Sequence, residues 1–181
     1  MRDLSAERRS PLLLDSPLVR PLPPAVRIVL RGREPARITA ERTFGAPIPT
    51  TACRAGVQGE RAALWLGPDE WLLIAPEAAG AGVLAGLESA LSGVPGSLVE
   101  VSHRQIGVEI QGPRAALLLA AGCPLDLEAS AFPVGMCTRT MLAKTEIVLW
   151  CTAPETFRVE VWRSFAAYLS AFLAEAARGM T

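Results

Sequence analysis

Hydrophobic and polar positions along the 181-residue chain switch between two periods. Val26-Arg27-Ile28-Val29-Leu30-Arg31 alternates loosely, and that spacing predicts a first strand. Ala62–Leu66 and Trp71–Ala75 are apolar runs separated by Gly67-Pro68-Asp69-Glu70, which describes a hairpin. Residues 81–92 place Val83, Leu84, Leu87 and Leu91 at helical spacing, weakened by Gly86 and ended by Val94-Pro95-Gly96. Ser97–Val101 and Gln105–Ile110 read as strands. Gly112-Pro113 then opens a helix, with proline in its first turn and Gly122 as its stop. Thr138–Ala143 and Glu146–Thr152 predict two strands joined by a tight Lys144-Thr145 turn, and Thr156–Trp162 a third. The last element is a helix with Ser164 as N-cap and a stripe of Phe165, Tyr168, Leu169, Phe172, Leu173 and Ala176. Groups of strands separated by helices predict an α+β fold rather than a doubly wound sheet. The order amounts to two strand-rich units, each closed by a helix, with no repeat in the sequence itself.

Three stretches have neither period. Residues 1–24 hold Pro11, Pro17, Pro21, Pro23 and Pro24 among leucines and arginines, which makes an extended arm. Its leucines are too numerous for a free linker, so the arm packs on its own domain or on a neighbour. Gly32 to Thr51, with Pro35, Pro47 and Pro49, reads as a loop that a partner covers. Gly122–Gly135 places Pro124 and Pro133 around an acidic patch, Asp126 and Glu128, and flanks it with Leu125, Leu127 and Phe132. Apolar residues in a loop dock into the domain's own core or onto another chain. The expected organisation is an arm over 1–24 and one α+β domain over 25–181, with sub-halves at about 25–121 and 122–181. The loop then reads as a rigid connector between those halves, and Arg139 is placed to answer its acidic residues.

Composition removes several functions. Half the residues are hydrophobic and a fifth charged, as in a globular protein. Formal net charge is zero, so no global field favours nucleic acid or an anionic membrane. Residues 1–37 are nonetheless basic, with eight arginines against four acids. That excess is either a solvated tail or an arm lying on an acidic partner. No stretch reaches the ~20 apolar residues of a membrane span. The run Leu12–Leu14 is far too short for a signal-peptide core, so the expected location is cytoplasmic.

The search for reaction chemistry is negative. Phosphate-binding glycine motifs and the serine hydrolase elbow are absent. Cys53, Cys123, Cys137 and Cys151 form no C-x-x-C pair and have no histidine spaced to join them in a zinc site, and reduced thiols are expected. Cys123 stands at a helix C-terminus, whose dipole disfavours thiolate. His103 is the one obvious acid–base group. Its neighbour Ser102 cannot complete a triad, because consecutive strand residues point to opposite faces, and a structural or interface role is the expectation. Trp71 anchors the hairpin to the core or lines a ligand pocket. Without a partner acid or base, Asp126 and Glu128 read as surface acids of the loop.

Several motifs in register carry a family resemblance: Trp65–Trp71, Val101-Ser102-His103-Arg104, Gly112-Pro113-Arg114-Ala115, Gly122–Leu127, Ala131–Gly135, Arg139-Thr140, Leu149-Trp150 and Arg163–Ala166. Together, over about residues 60–175, they resemble the γ subunit of heterotetrameric sarcosine oxidase. The resemblance implies a fold similar to the folate-binding domain of glycine-cleavage T proteins and partnership with α, β and δ subunits that hold FAD, FMN, NAD and zinc. That complex oxidises sarcosine to glycine, producing hydrogen peroxide and methylene-tetrahydrofolate or formaldehyde. It implies no catalytic residue, cofactor or metal in this chain. The expected role is a non-catalytic structural subunit; the alternative is a stand-alone binder of a folate-like small molecule, and an independent enzyme using His103 ranks last. The interface or pocket candidates are Trp71, His103, Arg104, Leu125, Asp126, Phe132 and Arg139.

Overall fold

The computed structural model describes residues 16–180. Among them the chain forms β1 (Val19–Pro21), β2 (Ala25–Gly32), α1 (Glu34–Phe44), β3 (Ala55–Gln58), β4 (Arg61–Gly67), β5 (Glu70–Pro76), α2 (Gly80–Ala90), β6 (Gly96–Glu100) and β7 (Gln105–Gln111). There follow α3 (Ala115–Ala120), β8 (Cys137–Leu142), β9 (Thr145–Ala153), β10 (Thr156–Trp162) and α4 (Ala166–Arg178). The α+β architecture is the one the pattern predicts. Two compact units result, one spanning residues 25–102 and the other residues 16–24 with 103–180. The division falls between Ser102 and His103, not near residue 121, so the Gly122–Gly135 loop lies inside one unit and does not connect two.

Each unit is built on a five-stranded antiparallel sheet. The first has the order β3-β4-β5-β2-β6, the second β8-β9-β10-β7-β1. Both units therefore run strand, helix, three-strand meander, helix, and place the opening strand beside the last strand of the meander. The fifth position differs in origin. In the first unit the strand after α2 fills it; in the second the chain's early segment, Val19–Pro21, pairs with β7. Pro21 is tolerated because β1 is an edge strand. This part of the expected arm packs on its own unit, with Val19 buried and the Arg20 Nε donating to Glu109 Oε1 at 2.7 Å. Residues 1–15 of that arm, including Leu12–Leu14, lie outside the described residues.

The first unit's core takes Val26, Ile28 and Leu30 from β2, Trp71, Leu73 and Ala75 from β5, and Val83 and Leu87 from α2. The segment after Gly32, expected to be a partner-covered loop, is mostly helix α1. Pro35 sits in the first turn, where a missing N–H costs nothing, and Ala36, Ala40 and Phe44 bury one face at a spacing of four. Gly45 ends the helix in the left-handed region at φ 72°, its N–H donating to Glu41 O. The chain beyond is tied down from within: Glu41 Oε2 accepts from the Ile48 N–H at 2.8 Å and from Arg37 Nη1 at 3.0 Å. The Trp71 indole N–H donates to Pro49 O at 2.8 Å.

Smaller corrections have equally local causes. The hairpin turn between β8 and β9 is Ala143-Lys144, with Ala143 at φ 52°. Ser164 does not cap α4: a 3₁₀ turn over Arg163–Phe165 precedes the helix, which starts after Phe165 with no side-chain cap. The Leu169 and Leu173 stripe is buried as expected, while Phe165 is exposed.

Trp71→Phe keeps the buried ring but leaves the Pro49 carbonyl without its donor, so unfolding stability should fall by about 1–3 kcal/mol. Urea denaturation of the soluble chain reads this as a lower midpoint at constant slope. An unchanged midpoint would show that the indole hydrogen bond carries nothing.

Candidate functional site: an apolar cleft beneath the Gly122–Gly135 loop

The second unit packs one face of its sheet, through Ile106, Val108, Ile110, Phe157, Val159 and Val161, against Leu118 and Leu119 of α3 and Leu169 and Leu173 of α4. Of these two helices α3 spans only six residues. The loop between α3 and β8 adds side chains to this packing: Leu127 and Phe132 are buried in the same cluster, and Leu125 packs against it half-buried. Phe132 is 2 % exposed, its ring centroid 6.3 Å from that of Phe157 in a tilted arrangement. Of the two fates open to these residues, docking inward is the one adopted by Leu127 and Phe132.

Backbone hydrogen bonds fix the loop along its course. At its start the Cys123 N–H donates to Leu119 O at 2.8 Å and Gly122 O accepts from the Ala143 N–H at 2.9 Å. Gly122 lies so close to its neighbours that a Cβ there would meet Phe172 Cζ at 2.6 Å. In the middle, Asp126 Oδ1 accepts from the Glu128 N–H at 3.0 Å, and the Phe132 N–H donates to Glu128 O at 2.7 Å. At its end the Gly135 N–H donates to Cys151 O and the Cys151 N–H to Met136 O, both at 2.9 Å. Asp126 thus shapes the turn. Arg139 lies on β8, its Nε 3.8 Å from Glu146 Oε1 on the neighbouring strand.

Beneath the loop a cleft of about 510 Å³ remains open. Leu127, Phe132, Phe157 and Cys151 form its inner wall, and Pro113, Pro133, Val134 and Pro154 its outer one. Glu128 and Glu155 are the charged residues lining it, and no arginine, lysine or histidine does. Left-handed backbone turns the rim at Gly112, Gly135 and Glu155, and the Gly112 N–H donates to Glu155 O at 2.9 Å. Pro113, Val134 and the Pro154-Glu155 turn were absent from the sequence-derived candidates. The signal was there, in a Pro-Glu pair between two strands that a two-residue hairpin must join.

The other candidates lie apart. Trp71 belongs to the first unit, and its indole is committed to that core and to Pro49. His103 and Arg104 occupy the exposed turn before β7, where the Arg104 guanidinium stacks 4.8 Å from the centroid of Trp162. A hollow of about 430 Å³ in the first unit is lined by Arg31, Gly32, Arg33, Asp69, Gly96 and Ser97. There Arg31 Nε and Nη2 both donate to Glu70 Oε2, the hydrogen bond and charge that raise the guanidinium pKa further.

Among the described residues, no three His, Cys, Asp or Glu side chains cluster as metal ligands. Cys123, Cys137 and Cys151 are buried and outside any disulfide, and desolvation pushes the Cys151 thiol up, away from thiolate. Gln105 Oε1 and Trp150 Nε1 are buried without a hydrogen-bond partner. Their register partners on β10 are Trp162 and Arg158, and the Arg158 guanidinium is paired with Glu160 at 2.7 Å. No described helix is long and apolar enough to cross a membrane.

The architecture defines a class before any name. The same fold occurs in the glycine cleavage system aminomethyltransferase T from Bartonella henselae, with TM-score 0.64 and 15% identity over 93% of this chain and 47% of that one. The chain belongs to the sarcosine oxidase, gamma subunit family, which it matches over residues 34–179. It is 42% identical over 105 residues to the sarcosine oxidase subunit gamma of an Arthrobacter species, a stretch covering 58% of this chain and 51% of that relative. It superposes with TM-score 0.82 and 27% identity on a chain of the heterotetrameric sarcosine oxidase from Corynebacterium sp. U-96 in complex with pyrrole 2-carboxylate, covering 96% of this chain and 90% of that one.

Phe132→Ala should destabilise the chain by about 3–5 kcal/mol, because the fixed loop cannot collapse into the space left. Leu125→Ala, at a half-buried position, should cost less than half as much. Thermal or urea unfolding checks the order, and equal small effects would mean the loop is not part of the core.

Proposed function

We propose that the chain is the non-catalytic γ subunit of a heterotetrameric sarcosine oxidase and that it acts through its surfaces. The observation that carries this reading is the family match, joined to a superposition covering nearly all of the chain on one from a heterotetrameric sarcosine oxidase. The side-chain chemistry agrees: the second unit directs its loop residues to packing, its histidine is solvent-exposed, and its buried cysteines are unsuited to nucleophilic attack. On this reading the reaction belongs to the assembly. Sarcosine is oxidatively demethylated to glycine on partner α, β and δ subunits that carry FAD, FMN, NAD and zinc in the cytoplasm, with hydrogen peroxide and methylene-tetrahydrofolate or formaldehyde as the other products. Likeness of fold to aminomethyltransferase T does not transfer a ligand, because function resides in the site and not in the fold.

Co-expression with the other subunits tests the proposal. The chain should co-purify with them in fixed stoichiometry and give more soluble protein than when expressed alone. A well-behaved monomer that ignores those subunits would overturn it. Titration calorimetry of the soluble chain with tetrahydrofolate should show no binding heat; a saturable isotherm would favour the alternative of a small-molecule binder.

A further inference from the structure

We infer that the cleft beneath the Gly122–Gly135 loop receives an extended apolar segment of another subunit, one that carries an arginine or lysine beside its apolar residues. The inference rests on the subunit reading above and adds the location and the chemistry of the contact. Four features of the cleft carry it.

Apart from Glu128 and Glu155 its lining side chains are apolar or small, and the apolar surface continues outward at Val134, which is 52% exposed. Apolar surface running out of a cleft suits a protein segment, whose side chains lie partly inside and partly along the rim. A small ligand would need polar groups to orient it, and none of the buried atoms that lack a hydrogen-bond partner belongs to the lining. The charge is of one sign: among the described residues that line the cleft, Glu128 and Glu155 are the charged ones, so an occupant bearing a basic residue gains complementarity and an acidic one is repelled. Finally, the cleft is preformed. Phe132 is locked into the core, the loop is hydrogen-bonded to Cys151 and Leu119, and the rim is braced by the Gly112–Glu155 hydrogen bond. A preformed cleft needs little ordering when it is filled.

The test places a photo-crosslinking residue, Val134→p-benzoylphenylalanine, in the chain co-purified with the other subunits, and identifies the crosslinked peptide by mass spectrometry. Val134 is exposed, so the larger side chain is accommodated without refolding the core. The expected result is a crosslink to a segment of another subunit that is apolar and has Arg or Lys within a few residues. Adding Glu155→Lys should lower the crosslink yield roughly tenfold while the complex stays intact, since a reversed charge repels the basic residue. Crosslinks only to residues 1–15 of the same chain, only to a second copy, or to nothing in an intact complex would overturn the inference and leave the subunit reading standing. Failure of the chain to co-purify with any other subunit would overturn that reading, and this inference with it.

Discussion

The second unit depends on a loop that serves as a wall of its core. Beside α3 and α4, its sheet is packed by Leu127 and Phe132, reaching down from a segment with no helical or strand period. Burying a phenylalanine and a leucine of this kind contributes about 1.5–3 kcal/mol each by removal from water. That gain requires the loop to hold its shape, which is why its backbone is hydrogen-bonded at both ends and turned by Asp126 in the middle. A loop so constrained has little freedom to act as a lid. What it leaves is a fixed, mostly apolar cleft.

A second constraint comes from topology. Both units use the same arrangement of strand, helix, meander and helix, and both need a fifth strand beside the first. In the first unit the chain continues into that strand. In the second the strand comes from the early segment, so Val19–Pro21 belongs to the same unit as α4 at the far end of the chain. Stability of the second unit therefore requires residues far apart in sequence, and its loop closure is correspondingly long.

Much of this was legible from the chain. The hairpin, helix α2, the strands β6 to β10 and helix α4 follow from period and turn residues, and so does the α+β class. Where the reading failed, the reason is physical. Helix α1 was hidden because Pro35 looks like a breaker, although a proline in the first helical turn removes no hydrogen bond. The repeated topology was invisible because it is a pattern of pairing, carried by different residues in each unit. The three-residue β1 and four-residue β3 are too short to show alternation. At the site, the apolar loop residues stood out, but the cleft did not. It is assembled from Pro113, Val134 and the Pro154-Glu155 turn, which lie apart in sequence and meet through the pairing of β10 with β7 and with β9.

On the reading proposed above, the chain contributes contact and not chemistry. Its one histidine is exposed in a turn, Cys123 and Cys151 are buried, Asp126 shapes a turn and Glu109 pairs with Arg20. The claim that no reacting group resides here is tested most directly by turnover of the assembled complex carrying His103→Ala in this chain. Sarcosine oxidation by that complex should proceed at the unaltered kcat and KM. A fall in kcat of a hundredfold or more, with the complex intact, would contradict the account, since that is the scale on which removal of an acid–base group is felt.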